Sequence, residues 1–418
     1  MNQKKHMMSN KTISQPEANA FDKSNEHPVL QAYDYLHGKY LFRTNSLTGR
    51  VEVAQRFQRE TPKKFRPVDR SIKNDLLLEL FKEGIDVGSA SRFNAIIENS
   101  HAEAFDPVET YLHSLPAWDG SERITTFFAR LTDDVWEQEV LHRAFLATVK
   151  QMKGEAQPFG NSLCPILISQ TQGWGKSQSV RRLLPPELRM LYTESFNLSK
   201  EDECLGRMSK FLLINLDEID HIGPTHLALL KQLIQMPVIS LRKRYANWME
   251  TLPRRASFWA TTNQTFVLYD LTGSRRFFPV RLKGIVDWKE PIEYKQLYAQ
   301  AMQELMEGQW QPWFTQEENR LIEEHNRPYC AELCLKDLVE QTFERIGNDS
   351  RGWGDDMARR LGLLTAEEIF TELVRRNPAL MACFTEAHFG ATLKDLGASS
   401  YRTAKHRYYN LRLRPHST

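Results

Sequence analysis

The chain has 418 residues, 41% hydrophobic and 26% charged, and its 55 Lys and Arg stand against 53 Asp and Glu for a formal charge of +2. That length supports more than one core, and the balanced charge confines any nucleic-acid surface to a local patch. The longest apolar runs, such as Phe211 to Leu216, are far shorter than the roughly 20 residues that span a bilayer, so no membrane partner is expected.

Residues 1–27 are polar, lack the apolar stretch of a secretory signal and read as a flexible arm. Cys164, Cys204, Cys330, Cys334 and Cys383 are scattered, odd in number and without a C-x-x-C pair, which reads as reduced thiols in a cytoplasmic protein. Residues 28–104 begin with two aromatic and β-branched stretches around Asn45-Ser46-Leu47-Thr48-Gly49, a hairpin signal. Helical spacing over Ser71 to Phe81 and Ser91 to Ile97 completes a small mixed accessory domain. Phe105-Asp106-Pro107 marks a boundary, because proline favours the first turn of a helix. Residues 105–155 then read as a helical collar, with Val140, Leu141, Ala144, Phe145, Ala147 and Thr148 on a buried stripe.

Over residues 156–310 the short apolar runs Leu163 to Ile168, Phe211 to Leu216, Ala256 to Ala260 and Phe277 to Leu282 alternate with longer mixed segments. That alternation predicts an α/β sheet whose central strands are buried on both faces. The expected fold class is therefore multidomain α/β, with a helical connector over 311–360 and a last module over 361–418.

The run LCPILISQTQGWGKSQSVRRLL supplies a strand, a glycine-bearing turn and a helix start. Backbone N–H groups of Gln172, Gly173, Trp174, Gly175, Lys176, Ser177 and Gln178 can surround phosphate oxygens at such a turn. Lys176 suits neutralisation of phosphate charge, and the Ser177 hydroxyl suits Mg2+. The full phosphate-loop pattern has glycine at position 170, where this chain has Gln170.

FLLINLDEID is an apolar strand ending in adjacent acids, an arrangement that calls for a charge partner or a metal when it is buried. Asp217 is the metal candidate, and Glu218 is the candidate for orienting or deprotonating water. The bland alternative is a solvated acidic turn. PRRASFWATTNQTF reads as another central strand, whose terminal Asn263 is either a sensor of the last phosphate or a strand cap. Arg275 and Arg276 precede the next strand, and one of them is expected to act as a finger on phosphoryl oxygens. The site read from these residues takes ATP and Mg2+.

Phe105-Asp106-Pro107-Val108 through Trp118-Asp119-Gly120 and Arg123, then TQGWGKS, LLINLDEID, Arg242 and Tyr245, PRRASFWATTN and TGSRRFFPV together resemble the virulence-associated protein E family, over about residues 100–310. That family is similar to the superfamily-three AAA+ helicases of phages, plasmids and mobile islands. The resemblance implies a P-loop core, ATP-dependent helicase or primase-associated helicase activity on single-stranded or forked DNA, replication partners, and a homo-oligomeric ring, taken as a hexamer, with nucleotide between subunits. It also gives Lys176 and Ser177 the phosphate and magnesium roles, Asp217 and Glu218 the acidic roles, Asn263 the sensor role, and Arg275 or Arg276 the finger role in trans. Gln178 replaces the commoner threonine. A replication initiator or loading ATPase without processive unwinding, and a nucleotide-controlled DNA-binding or defence scaffold, are the alternatives.

Two surfaces are candidates for DNA. Val238 to Leu241 and Trp248 to Leu252 can pair around Arg242-Lys243-Arg244-Tyr245, a tip that suits backbone grip without sequence readout; an interface or solvated loop is the alternative. Arg254 and Arg255 are separate candidates for subunit or nucleotide contacts. LTAEEIFTELVRRN and FTEAHFGATLKDLG each open on a cap-like threonine, and SSYRTAKHRYYNLRLR follows as a basic wing bearing Arg402, Lys405, Arg407, Arg412 and Arg414. The order resembles a winged helix, serving either DNA or protein contacts.

Overall fold

The structure is a computed structural model that describes residues 27–57, 64–98, 103–155, 159–242, 249–268, 274–287, 289–308, 311, 313–347 and 354–415. The chain falls into two compact units, Met1–Asp106 and Pro107–Thr418. The core, connector and last module expected from the sequence lie within the second, as does the collar except for Phe105 and Asp106, which belong to the first because Phe105 ends a strand of its sheet.

In the first unit, α1 (Pro28–Lys39) leads into β1 (Tyr40–Asn45) and β2 (Val51–Gln55), followed by β3 (Arg66–Pro67), α2 (Arg70–Lys82), α3 (Ala90–Ile97) and β4 (Glu103–Phe105). The strand order is β3-β2-β1-β4. Asn45 Oδ1 closes the predicted turn by accepting from the Leu47 and Thr48 amides, and Gly49 takes the left-handed conformation there at φ +66°. Phe42, Val51 and Val53 meet Leu36, Leu76, Leu80, Phe93 and Ile96 in one core. Arg43 is held by Glu52 at 2.6 Å and lies over the Phe65 and Phe105 rings.

The second unit opens with α4 (Pro107–His113), α5 (Ile124–Phe128) and α6 (Val135–Met152). Asp134 caps α6 by accepting from the Trp136 and Glu137 amides, and most of the helix is buried. Next come β5 (Cys164–Ile168), α7 (Lys176–Arg181), β6 (Tyr192–Thr193), α8 (Glu201–Lys210), β7 (Leu213–Asp217), α9 (Pro224–Leu233), β8 (Val238–Arg242), β9 (Met249–Pro253), β10 (Ser257–Thr262) and β11 (Phe277–Arg281). Five of these strands form a parallel sheet in the order β11-β5-β10-β7-β6. β5 and β10 are buried throughout, as strands covered on both faces must be. β8 and β9 pair separately as an antiparallel ribbon.

Arg254 is fully buried and points neither at a subunit surface nor at the loop after β5. It donates to the Leu233 and Ile234 carbonyls at the end of α9, to the Asn161 carbonyl at 2.6 Å and to Gln151. A guanidinium fits there because its fixed fork satisfies several carbonyls at a helix C-terminus at once. Arg255 likewise turns inward, donating to the Met152 carbonyl.

The chain continues through α10 (Tyr294–Glu307), α11 (Gln316–Asn326), α12 (Ala331–Thr342), β12 (Phe343–Arg345), α13 (Asp355–Arg360), β13 (Leu364–Thr365), α14 (Ala366–Arg376), α15 (Pro378–Met381), α16 (Glu386–Asp395), β14 (Ser400–Arg402), β15 (Arg407–Tyr409) and β16 (Leu411–Leu413). Leu335, Val339, Ile369, Leu373, Phe389 and Tyr409 share one core, so α12, expected in the connector, packs with the last module. Thr365 forms a capping box with Glu368. Thr385 makes no such cap; its hydroxyl pairs with His388 instead. No helix among the described residues is long and apolar enough to cross a membrane.

Candidate active site

Parallel pairing sets three strand ends level: Thr262 lies beside Ile168, and Thr261 beside Asp217. The loop leaving β5 turns through Gly173 and Gly175, at φ +82° and +88°, before α7 begins at Lys176. The loop is fastened from outside, where the Val286 amide donates to the Trp174 carbonyl at 3.1 Å and the Leu282 amide to the Ile168 carbonyl at 2.9 Å. Gln170 does not adopt the left-handed conformation that its glycine-bearing counterpart suggests, and its amide donates to Thr265 Oγ1 at 3.1 Å. Gln172 and Gln178 are exposed at the loop's rim.

The Lys176 ammonium donates to Asn263 Oδ1 at 2.6 Å and to the Ser169 carbonyl at 3.2 Å. Partial burial lowers its pKa, while the charge of Asp217 opposes that shift. Ser177 Oγ donates to Asp217 Oδ1 at 3.3 Å, and Thr261 Oγ1 donates to the same oxygen. Thr262 Oγ1 donates to Asp220. Glu218 stands at φ +54°, the one non-glycine residue at positive φ among those described. That left-handed step costs a residue with a Cβ roughly 1–2 kcal/mol and turns the chain into the 3-10 turn Ile219–His221. His221 thereby returns to Glu218, with Nδ1 at 3.2 Å from Oε2, while its Nε2 lies 3.6 Å from Asp220 Oδ2.

Lys176, Ser177, Asp217, Glu218 and Asn263 therefore sit together at one end of the sheet. Ser177 and Asp217 offer two adjacent hard oxygen donors. Among the described residues no group of three or more His, Cys, Asp or Glu is arranged to hold a metal. That donor set fits an ion that takes few protein oxygens and keeps its remaining positions for water and phosphate, as Mg2+ does.

Arg275 and Arg276 are not part of this gathering. They form the 3-10 turn before β11, whose first residue Phe277 lies beside Cys164 at the start of β5. A strand of that length separates them from their own loop by roughly 15 Å. Arg275 is exposed; Arg276 is half-buried, and burial followed by the charge of Arg275 lowers its pKa.

The DNA candidates divide as well. Arg242 ends β8 opposite Met249, whereas Lys243, Arg244 and Tyr245 lie outside the described residues. Arg402, Lys405 and Arg407 are exposed along the β14–β15 hairpin. Arg412 and Arg414, expected on the same wing, belong to a different pairing: β16 joins β12, Arg412 is paired with Glu344, and Arg414 donates to the Glu340 and Phe343 carbonyls. Leu411 is buried in the core of the last module while Leu413 stays exposed, and both arginines are engaged along the β12–β16 pairing. Thr261, Thr262, Asp220, His221 and the Leu282–Val286 segment were not singled out from sequence. Only the Thr261-Thr262-Asn263 run offered a signal, through its place at a strand end.

The comparison with curated proteins returns no match. Among solved structures, the chain is similar to the apo NrS-1 C-terminal region (305–718), with a TM-score of 0.41, 12% identity and coverage of 93% of this chain and 100% of that one. An A-form apo structure of the same NrS-1 region gives 0.41 and 11%, covering 93% and 100%. The sequence matches the virulence-associated protein E-like domain over residues 112–331, more than half of the chain and the whole of the acidic, lysine-bearing site, and the chain belongs to that family.

Proposed function

We propose that the protein is an ATPase of the P-loop, AAA+ kind that works on DNA in the replication of a mobile element. The observation that carries this reading is the convergence of Lys176, Asn263, Ser177 and Asp217 on the ends of adjacent parallel strands. The sheet's order, in which the phosphate-loop strand is flanked by β11 and β10 and the acidic strand lies next to β10, supports it.

In this reading the turn amides and Lys176 bind the phosphates, and Asn263 senses the last one across the lysine. Ser177 and Asp217 would hold Mg2+, which neutralises phosphate charge when bound. Glu218 orients the attacking water and accepts its proton. Arg275 or Arg276 reaches the site of a neighbouring subunit in a ring, a hexamer by family resemblance, and Arg402, Lys405 and Arg407 contact DNA phosphates. Strand separation is the expected output of the motor.

Phosphate release by purified protein, with and without forked DNA, tests the reading. Lys176→Ala should lose nucleotide binding, and Glu218→Gln should bind but not turn over. Normal turnover in both variants would sink the assignment. A strand-displacement assay then separates a helicase from an initiator or loading ATPase, and tight ATP binding with negligible hydrolysis would favour a scaffold.

A further inference from the structure

The last two residues of β10 and the first residue after it each engage a different part of the site. Thr261 donates to Asp217, Thr262 donates to Asp220, and Asn263 accepts from Lys176. Register explains the first contact, since Thr261 and Asp217 are direct partners across β10 and β7 and side chains at paired positions share a face. Both threonine side chains are almost wholly buried. A buried hydroxyl needs a partner, and here the partners are carboxylates, which makes the bonds charge-assisted and directional.

We propose that Thr261 and Thr262 are positioning residues with separate tasks. Thr261 fixes the carboxylate that would ligate Mg2+, and Thr262 fixes Glu218 through Asp220 and His221. The first task follows from geometry at one atom: Asp217 Oδ1 accepts from both Ser177 and Thr261. Without the Thr261 bond the carboxylate keeps only the longer 3.3 Å contact from Ser177 against rotation about its last torsion, and the spacing of the paired oxygen donors is less firmly held. The second runs along a chain of contacts from the Thr262 hydroxyl to Asp220, from Asp220 to His221 and from His221 to Glu218. Glu218 is more than half exposed, so this chain is what gives its carboxylate a preferred direction.

This inference rests on the nucleotide-site reading, and the experiment separates the two. The full-length chain is titrated with a fluorescent ATP analogue at varied Mg2+, and phosphate release is measured as kcat and KM. Thr261→Val preserves shape and strand preference but removes the hydroxyl; Thr261→Ser restores it. Thr261→Val should raise the Mg2+ needed for half-maximal nucleotide binding by roughly 10–100-fold, the usual effect of losing an outer-shell partner, with Thr261→Ser close to wild type. Thr262→Val and His221→Ala should leave the Mg2+ dependence in place and lower kcat with little change in KM, and His221→Asn, whose amide falls where Nδ1 was, should recover part of it. Thr261→Ala substitutes for the valine variant if that one does not fold, and unfolding midpoints are measured throughout. Equal impairment by valine and serine at 261, or an unshifted Mg2+ dependence in Thr261→Val, overturns the inference while leaving the nucleotide site standing. A wild-type protein without Mg2+-dependent nucleotide binding overturns the nucleotide reading and the inference with it.

Discussion

Asn263 Oδ1 accepts a hydrogen bond from the Lys176 ammonium at 2.6 Å, which joins the phosphate loop to the end of β10. If Lys176 meets the last phosphate, as proposed, the amide is already placed against it and needs no large movement to report occupancy. Removing the amide leaves Lys176 its bond to the Ser169 carbonyl. Asn263→Ala is therefore expected to keep nucleotide affinity within a few-fold and to lower kcat by on the order of 10–100-fold, whereas Lys176→Ala should lose most binding. Titration with a fluorescent analogue beside phosphate release distinguishes them. An equal loss of affinity in both variants would assign Asn263 to ground-state binding.

The central strands were legible in the sequence because both their faces are buried. Leu163 to Ile168 became Cys164–Ile168, and Ala256 to Ala260 became Ser257–Thr262. β6 escaped notice because it is two residues long and carries no apolar run. The pairing of β16 with β12 escaped for a different reason. Basic residues alternating with leucines fit a solvated wing and an edge strand equally, and only the position of Glu344 decides between them. Candidate-site residues with charged side chains, Lys176 and Asp217, stood out in the sequence. Threonines at strand ends did not, since β-branched residues are ordinary in strands and their role appears only when register places them beside a carboxylate.

A pH dependence of stability follows from Glu137. It lies at the start of α6, where burial, with Asp134 adding to it, pushes its pKa up to about 7 even though Thr132 Oγ1 donates to its carboxylate at 2.5 Å. His325 Nε2 is 3.7 Å away, and burial lowers the pKa of that imidazole, so it offers little charge near neutrality. A carboxyl whose folded pKa lies above its unfolded value binds more protons folded than unfolded within that window. Its contribution to stability is therefore lost as pH rises from about 4.5 to about 7. Glu137→Gln removes the titration and keeps an acceptor for Thr132. Wild type and variant should unfold alike near pH 4 and diverge above it, with the variant more stable at pH 8 by on the order of 2 kcal/mol. Parallel curves of unfolding midpoint against pH would show that folding leaves the Glu137 carboxyl at its ordinary pKa.

Gly390 and Tyr409 give a prediction with a change of sign. A Cβ on Gly390 would lie 2.6 Å from the Tyr409 hydroxyl but 3.8 Å from the ring carbon that bears it, and that hydroxyl donates to the Gly390 carbonyl at 3.1 Å. Gly390→Ala in α16 would ordinarily gain roughly 0.5–1 kcal/mol from helix preference, but here it must push a buried tyrosine off β15. It should destabilise the wild-type chain and stabilise the Tyr409→Phe chain, where the clashing oxygen is gone. The four unfolding midpoints of this double-mutant cycle measure the coupling. Additive effects would mean that α16 and β15 separate more readily than their contacts indicate.

The last prediction concerns Arg275 and Arg276. Lys176, Ser177, Asp217, Glu218 and Asn263 gather at the carboxyl ends of their strands, while both arginines stand at the amino end of β11. A strand's length exceeds the reach of an arginine side chain, so neither can touch phosphate bound in the loop of its own subunit while the sheet is intact. If either stabilises charge on the transferred phosphoryl group, it does so in a second copy. Arg275 is the better placed of the two, because it is exposed whereas Arg276 is half-buried. Arg275→Ala should then leave ATP affinity within a few-fold and reduce kcat by about 10³ or more, the scale of a lost finger. The same substitution at 276 should act more on folding, seen as a lower unfolding midpoint. Mixing Arg275→Ala with Lys176→Ala protein creates some interfaces with an intact loop from one chain and an intact finger from the other, and those should regain hydrolysis. Subunit exchange is verified first with differently labelled wild-type chains, so that an absence of rescue counts. Full activity from a protein shown to be monomeric during turnover would exclude the shared site outright, because the distance along β11 leaves no route by which one chain supplies both halves.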